Sequence, residues 1–332
     1  LNQQMHNNQI LSSFVCLLFS LLSHAFAQAP CPPNIGFEAG NFTGWAAYRG
    51  VTTATAVANL INVNSTTPQS RYHSITSAST PKDKYGGFSA LSPNGSKYAV
   101  KLGNDQIGAE AERISYEFIV PVDQAEYSLT YYYAVVFEDP NHPTIEQPRF
   151  QVRVFDIDAN SYINCASFEF IATSNLPGFK SSPVKTGVLY KDWSPVTIDL
   201  SGYSGKKMRI EFTTADCTRT GHFGYAYLDI DEICTTPITG NIICENATSV
   251  TLKGPSGYQS YTWYTSDFSQ QVGTGEQITI SPAPSSTTKF ALRVIPYPGF
   301  GCPDDLFTTI ATINFQLKLT NINACFPDVV DL

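Results

Sequence analysis

The sequence predicts an all-β protein, and three observations carry that expectation. Only 14% of the 332 residues are charged, whereas Gly (22), Pro (21), Phe (21) and Tyr (18) are abundant. No stretch after Ala27 repeats its apolar residues at helical spacing, so the chain offers no amphipathic helix. Its apolar residues instead fall in short runs broken by turn chemistry, the signature of strands.

The N-terminal segment comes first. The apolar run Phe14–Leu22 is too short to span a bilayer and leads into Ala25-Phe26-Ala27, which fits signal-peptidase cleavage after Ala27. Residues 1–27 are therefore expected to be a signal peptide, and the protein to be secreted or displayed at the cell surface. No later apolar run approaches 18 residues, so no transmembrane segment is expected after signal removal. A net charge of -8, with no basic run longer than Lys206-Lys207, argues against nucleic acid as a partner.

Between residues 28 and 236 the clearest strand runs are Lys97–Leu102, Ile114–Val122, Tyr127–Phe137, Arg149–Asp156, Trp193–Leu200, Lys207–Thr213 and Phe223–Ile230. In Arg149–Phe155, Phe150, Val152 and Val154 share one face, and Arg149, Gln151 and Arg153 share the other with Phe155. That alternation predicts a sheet with one buried face. Asp156–Asn160 has calcium-loop carboxylates but lacks the glycine and glutamate such a loop needs, and reads as a hairpin turn.

Near Cys234 the texture changes. Thr235–Gly240 reads as a linker, and a smaller domain, 237–315, follows with strand runs Ser249–Lys253, Tyr258–Thr265, Gln277–Ser281 and Lys289–Pro296. Tyr261-Thr262-Trp263-Tyr264 puts an indole in mid-strand, the pattern of an immunoglobulin-like or PKD-like sandwich with a core tryptophan. Residues 316–332 echo the start of this domain, with Ile322–Cys325 matching Ile242–Cys244, and are expected to open a further, truncated repeat.

Seven cysteines follow Ala27. If Cys325 belongs to the next repeat, six remain to pair by order and domain. The expected bridges are Cys31–Cys234 and Cys165–Cys217 in the large domain and Cys244–Cys302 in the small one, the last worth about 4 kcal/mol in the chain-entropy model.

Five segments together carry a resemblance: Cys31–Trp45, Val100–Asn104, Ala134–His142, Gln147–Phe150 and His222–Asp229. They resemble the N-terminal region of large multidomain surface proteins of gliding bacteria that use type IX secretion. In that family a jelly-roll-like β-sandwich precedes immunoglobulin-like or PKD-like repeats. The resemblance implies a jelly-roll-like first domain over 28–236 and a secreted, non-enzymatic adhesin or surface-interaction protein, with a cell-surface protein or glycan as partner. A second resemblance, to jelly-roll carbohydrate-binding modules, rests on Asn34–Glu38, Trp45 and Tyr227–Asp229. It implies the alternative function, targeting of a polysaccharide, and a structural calcium held by Glu38 and Asp229, with Asp231 in reserve; hard carboxylate oxygens suit that ion.

The residues also suggest where a ligand would bind. On the last strand Phe223, Tyr225, Tyr227 and Asp229 share one face, and Gly224, Ala226, Leu228 and Ile230 the other. Either face could be the core. If the aliphatic set points inward, Tyr225 and Tyr227 could stack on sugar rings, with Arg153 and Gln151 supplying polar contacts. His142 and His222, with Asp139, form a candidate transition-metal set brought together by loops at one rim. No nucleophile elbow, His-Glu-x-x-His, Cys-x-x-Cys or phosphate-binding loop occurs, so no enzyme is expected.

Overall fold

The computed structural model describes residues 31–122, 127–173, 176, 178–231, 234, 237–297 and 302–313. The expected signal peptide, 1–27, and the expected further repeat, 316–332, lie outside the described residues. The described chain forms two compact units, the first Cys31–Pro237 with Tyr297 and Cys302, the second Ile238–Pro296 with Pro303–Ile313.

The first unit is built from β1 (Trp45–Ala54), β2 (Asn59–Thr66), β3 (His73–Ser77), β4 (Tyr98–Leu102), β5 (Glu110–Ile119), β6 (Ser128–Glu138), β7 (Arg149–Asp156), β8 (Ser161–Tyr162), β9 (Phe168–Ile171), β10 (Lys180–Ser181), β11 (Val188–Asp199), β12 (Lys207–Ala215) and β13 (Gly224–Ile230). Among the described residues there is no α-helix, only three short 3-10 turns. Two antiparallel sheets face each other, in the orders β2-β1-β5-β12-β7-β8, with β9 also on β7, and β10-β11-β6-β13-β4-β3. From β4 to β7, and again from β11 to β13, successive strands alternate between the sheets. Such repeated crossing is the connectivity of a jelly-roll-like sandwich.

The core follows from the alternation. Phe150, Val152 and Val154 on β7 meet Ile210 and Phe212 on β12, and Tyr131, Tyr133, Val135, Ala226 and Leu228 from the opposite sheet. β6 is central and apolar on both faces; Ala134 and Val136 point out of the sandwich and are still buried. Strands β1 and β2 are not apparent in the sequence, because β1 carries Gly50 in mid-strand, a strand-weakening residue. Its place is dictated by the neighbour: the Asn62 backbone of β2 lies where a Cβ would fall.

Asp156–Asn160 is the turn that joins β7 to β8, with Asp156 Oδ1 accepting the Ala159 amide at 2.9 Å and Asn160 at positive φ. The disulfides correct the expected pairing in part. Cys31 is bonded to Cys234, closing the first unit on itself. Cys165, however, is bonded to Cys302, and Cys217 and Cys244 are free. Cys302, like Tyr297, is grouped with the first unit rather than the second. Pairing by order within each domain failed because the chain returns to the first unit after most of the second is complete.

The second unit holds β14 (Ile242–Cys244), β15 (Val250–Lys253), β16 (Ser260–Thr265), β17 (Gln271–Thr274), β18 (Gln277–Ile280), β19 (Lys289–Ile295), β20 (Asp304–Thr309) and β21 (Ala311–Ile313). Its main sheet runs β17-β16-β19-β20, beside the pairs β15-β18 and β14-β21. Trp263 is fully buried among Leu252, Phe290, Leu292 and Leu306, and its indole N–H donates to the Gly275 carbonyl at 2.9 Å. A buried indole needs such a partner.

Candidate functional site

Each sheet of the first unit has an outer face, and they differ. On the six-stranded sheet, Ala226, Leu228 and Ile230 of β13 point into the sandwich, so Phe223, Tyr225 and Tyr227 stand on the outer face. That face is not open. The β3–β4 connection folds over it, burying Tyr85, Phe88 and Ala90 against the tyrosines. Asp83, itself buried, accepts the Tyr225 and Tyr227 hydroxyls on Oδ2 at 2.7 and 3.2 Å, and the Tyr85 and Gly86 amides on Oδ1 at 2.9 and 2.7 Å. The Trp193 indole pins the same segment through the Ser89 carbonyl at 2.8 Å. Burial, reinforced by the Asp83 carboxylate, holds both phenols far above their usual pKa. Tyr225 and Tyr227 are 1% and 3% exposed and cannot reach a sugar in this arrangement. The expectation failed because strand alternation assigns faces, while the cover comes from a distant, irregular segment.

Gln151 and Arg153 lie elsewhere, on the outer face of the seven-stranded sheet. Strand register lines up Tyr48, Arg113, Thr213, Gln151 and Glu169 in one row across five strands, and Ala46, Ser115, Glu211 and Arg153 in the next. A third row sets Glu117, Arg209, Phe155 and Tyr162 side by side. Side chains in neighbouring rows are close enough to interact.

Glu211 is the centre of this face. It receives Arg209 Nε on Oε1 at 2.7 Å, the Tyr162 hydroxyl on Oε2 at 3.3 Å, and has Arg113 Nη1 at 3.8 Å. Arg113 Nε donates to Thr213 Oγ1 at 2.8 Å, and Gln151 Nε2 to Glu169 Oε1 at 2.6 Å. Guanidinium groups lie over rings, Arg209 at 4.8 Å from Phe155 and Arg153 at 5.2 Å from Tyr162. Desolvation opposes the Arg209 charge, but Glu211 overrides it and raises the guanidinium pKa. Although Glu211 is only 4% exposed, Ala46 in its row and Glu117 and Tyr162 in the next are open to solvent. The face is thus a fixed set of donors, acceptors and half-covered rings, with five cations (Arg113, Arg149, Arg153, Lys207 and Arg209) against three glutamates (117, 169, 211).

The two carboxylates of the expected calcium pair, Glu38 and Asp229, have different neighbours. Glu38 Oε1 accepts the Gly36 amide at 3.0 Å beside the Ile230 backbone, and its Oε2 is buried with no hydrogen-bond partner among the described residues. Asp229 instead faces Ser92, Asn94 and Ser96, its Oδ1 accepting the Ile230 amide at 2.8 Å, and burial pushes its carboxyl up to about 7. Asp229 Oδ2, like Glu38 Oε2, is buried with no hydrogen-bond partner among the described residues. Asp231, the reserve ligand, accepts Asn94 Nδ2 at 3.0 Å. His142 and His222 do meet, with ring centroids 5.3 Å apart.

No family model matches the chain, and no curated protein does. Solved structures of similar shape include the carbohydrate-binding module TmCBM61 in complex with β-1,4-galactotriose, at 14% identity and TM-score 0.34, covering 62% of this chain and 99% of that one. Another is the module CBM27-1 of Caldicellulosiruptor saccharolyticus in complex with mannohexaose, at 16% identity and TM-score 0.32, covering 62% and 96%. A third is the family 11 carbohydrate-binding module of a Clostridium thermocellum cellulase, at 10% identity and TM-score 0.27, covering 64% and 96%. At identities this low the ligands named belong to those proteins alone.

Sequence reasoning reached Gln151 and Arg153 but missed Tyr48, Arg113, Tyr162, Arg209 and Glu211. The signal for Arg209 and Glu211 was present, since Lys207–Thr213 alternates polar with apolar residues. Their meeting with Tyr48 and Tyr162 depends on a register that the sequence does not display.

Proposed function

We propose that the first unit is a non-catalytic glycan-binding module, with the outer face of the seven-stranded sheet as its binding surface. The observation that carries this reading is the Glu211 network. A carboxylate nearly removed from solvent on an outer sheet face is costly unless several donors hold it. Here Arg209, Tyr162 and Arg113 do so, leaving further guanidinium N–H groups beside exposed rings. Saccharides present hydroxyls that donate and accept together with apolar ring faces, and a fixed array of donors, acceptors and aromatic rings matches both. Because the groups already hold one another, little side-chain freedom is lost on binding.

Two disulfides accord with an oxidising, extracellular setting. Among the described residues no helix is long and apolar enough to cross a membrane. The adhesin reading takes second place, because it rests on a sequence resemblance alone, whereas the face supplies a concrete contact surface. The two are compatible if the module is the adhesive tip.

The test is a glycan-array screen of the oxidised full chain and its Arg113→Ala and Tyr162→Ala variants. It is run with calcium and with a chelator, because Glu38 keeps a buried oxygen without a partner. Binding to a defined glycan, lost in both variants, is expected. Absence of binding under both conditions would overturn the proposal and leave protein adhesion as the better reading.

A further inference from the structure

A second constellation lies at a rim of the first unit, apart from the sheet face. His142, Cys217 and His222 are brought together so that no two of their ligand atoms are more than 4.8 Å apart, and among the described residues they are the one such group of three. Cys217 Sγ is 3.4 Å from His142 Nδ1 across 75 residues of chain. For comparison, a zinc ion bound at ~2.3 Å to sulfur and ~2.05 Å to nitrogen in tetrahedral geometry sets those atoms ~3.6 Å apart.

The site is built by two loops tied to each other. Cys217 and His222 lie on the β12–β13 connection, which crosses between the sheets, with the Cys217 amide donating to the His222 carbonyl at 3.0 Å and the Thr220 amide to the Cys217 carbonyl at 3.1 Å. His142 rides on the β6–β7 loop, where Asp139 Oδ1 accepts the Asn141 amide and Gln147 Nε2, both at 2.8 Å. The loops are joined by the Thr218 amide on the Glu146 carbonyl at 3.0 Å and by Arg219 Nε at 2.7 Å from Glu146 Oε2.

Two details point to a ligand. Cys217 is buried and free in a chain whose Cys31, Cys165, Cys234 and Cys302 are bridged. The nearby His222 Nδ1 is buried with no hydrogen-bond partner among the described residues. Both histidines remain partly exposed, which leaves a path for an ion.

We infer that His142, Cys217 and His222 form a binding site for a thiophilic divalent cation, zinc in the first instance, with water in the fourth position. Two imidazoles and a thiolate suit such a cation and not calcium or magnesium, which take oxygen ligands. Asp139 is not needed, because its Oδ1 is already engaged in holding the His142 loop.

The test uses the full oxidised chain carrying Cys244→Ser, stripped with chelator and then reloaded. Zinc alone should bind at one ion per chain by elemental analysis, and cobalt in its place should give a thiolate-to-cobalt charge-transfer band. Both should be lost in Cys217→Ser. If that buried substitution prevents folding, His142→Gln/His222→Gln decides, since both positions are partly exposed. Zinc retained at full stoichiometry in the variants, a missing charge-transfer band, or Cys217 found in a disulfide would each overturn the inference.

Discussion

The Tyr225 hydroxyl donates to Asp83 Oδ2 at 2.7 Å, joining the last strand of the sandwich to a segment 142 residues earlier in the chain. That bond helps seal the outer face of the six-stranded sheet, whereas the proposed ligand face lies on the other sheet. Tyr225→Phe should lower stability by about 1–3 kcal/mol, because a buried carboxylate loses one of its donors. Denaturant melts measure that loss, and glycan binding should be unchanged.

The pH dependence of stability should carry the mark of buried carboxyls at the sandwich rim. Burial pushes Asp216 up to about 8 and Glu112 well above its usual range. Around Asp216 stand Glu110 and Glu112 of β5, Thr214 of β12, the Gly224 amide of β13, and Arg71; the Glu110 and Gly224 amides donate to it at 3.0 and 3.1 Å. A raised carboxyl pKa means that the folded state holds the proton more tightly than the unfolded one. The resulting stability is fully present below about pH 4 and is lost as the pH rises toward 8. A tenfold difference in proton affinity between the two states is worth about 1.4 kcal/mol, so the contribution is a few kcal/mol. Asp216→Asn should flatten this decline relative to wild type in melts between pH 4 and 8; an identical decline would contradict it.

Non-reducing peptide mapping should recover Cys31 linked to Cys234 and Cys165 linked to Cys302. Cys31→Ala/Cys234→Ala opens a sequence separation of 203 residues, and in the chain-entropy model should cost about 5 kcal/mol, read as a lowered unfolding midpoint. A Cys165–Cys217 bridge would contradict both the disulfide assignment and the metal site.

The fold was legible where polar and apolar residues alternate cleanly. Arg149–Asp156 has the bounds of β7, and Trp263 announced its own burial. The edge strands β1 and β2 were not legible, since Gly50 and scattered polar residues mask their period. The candidate site was legible only as Gln151 and Arg153, because alternation says which side of a strand a residue takes but not which strands lie alongside. The same limit put Tyr225 and Tyr227 on an apparently open face and paired Cys217 with Cys165. In each case the deciding neighbour, Asp83 for the tyrosines and Cys302 for Cys165, is distant in sequence.

The most direct test of the central claim compares the two outer faces. Isothermal titration of the best array glycan into the full chain should show affinity reduced at least tenfold, about 1.4 kcal/mol, by Arg113→Ala/Gln151→Ala. It should be unchanged by Tyr227→Phe. Binding that survives the first variant and is lost in the second would place the ligand on the opposite sheet and contradict the account.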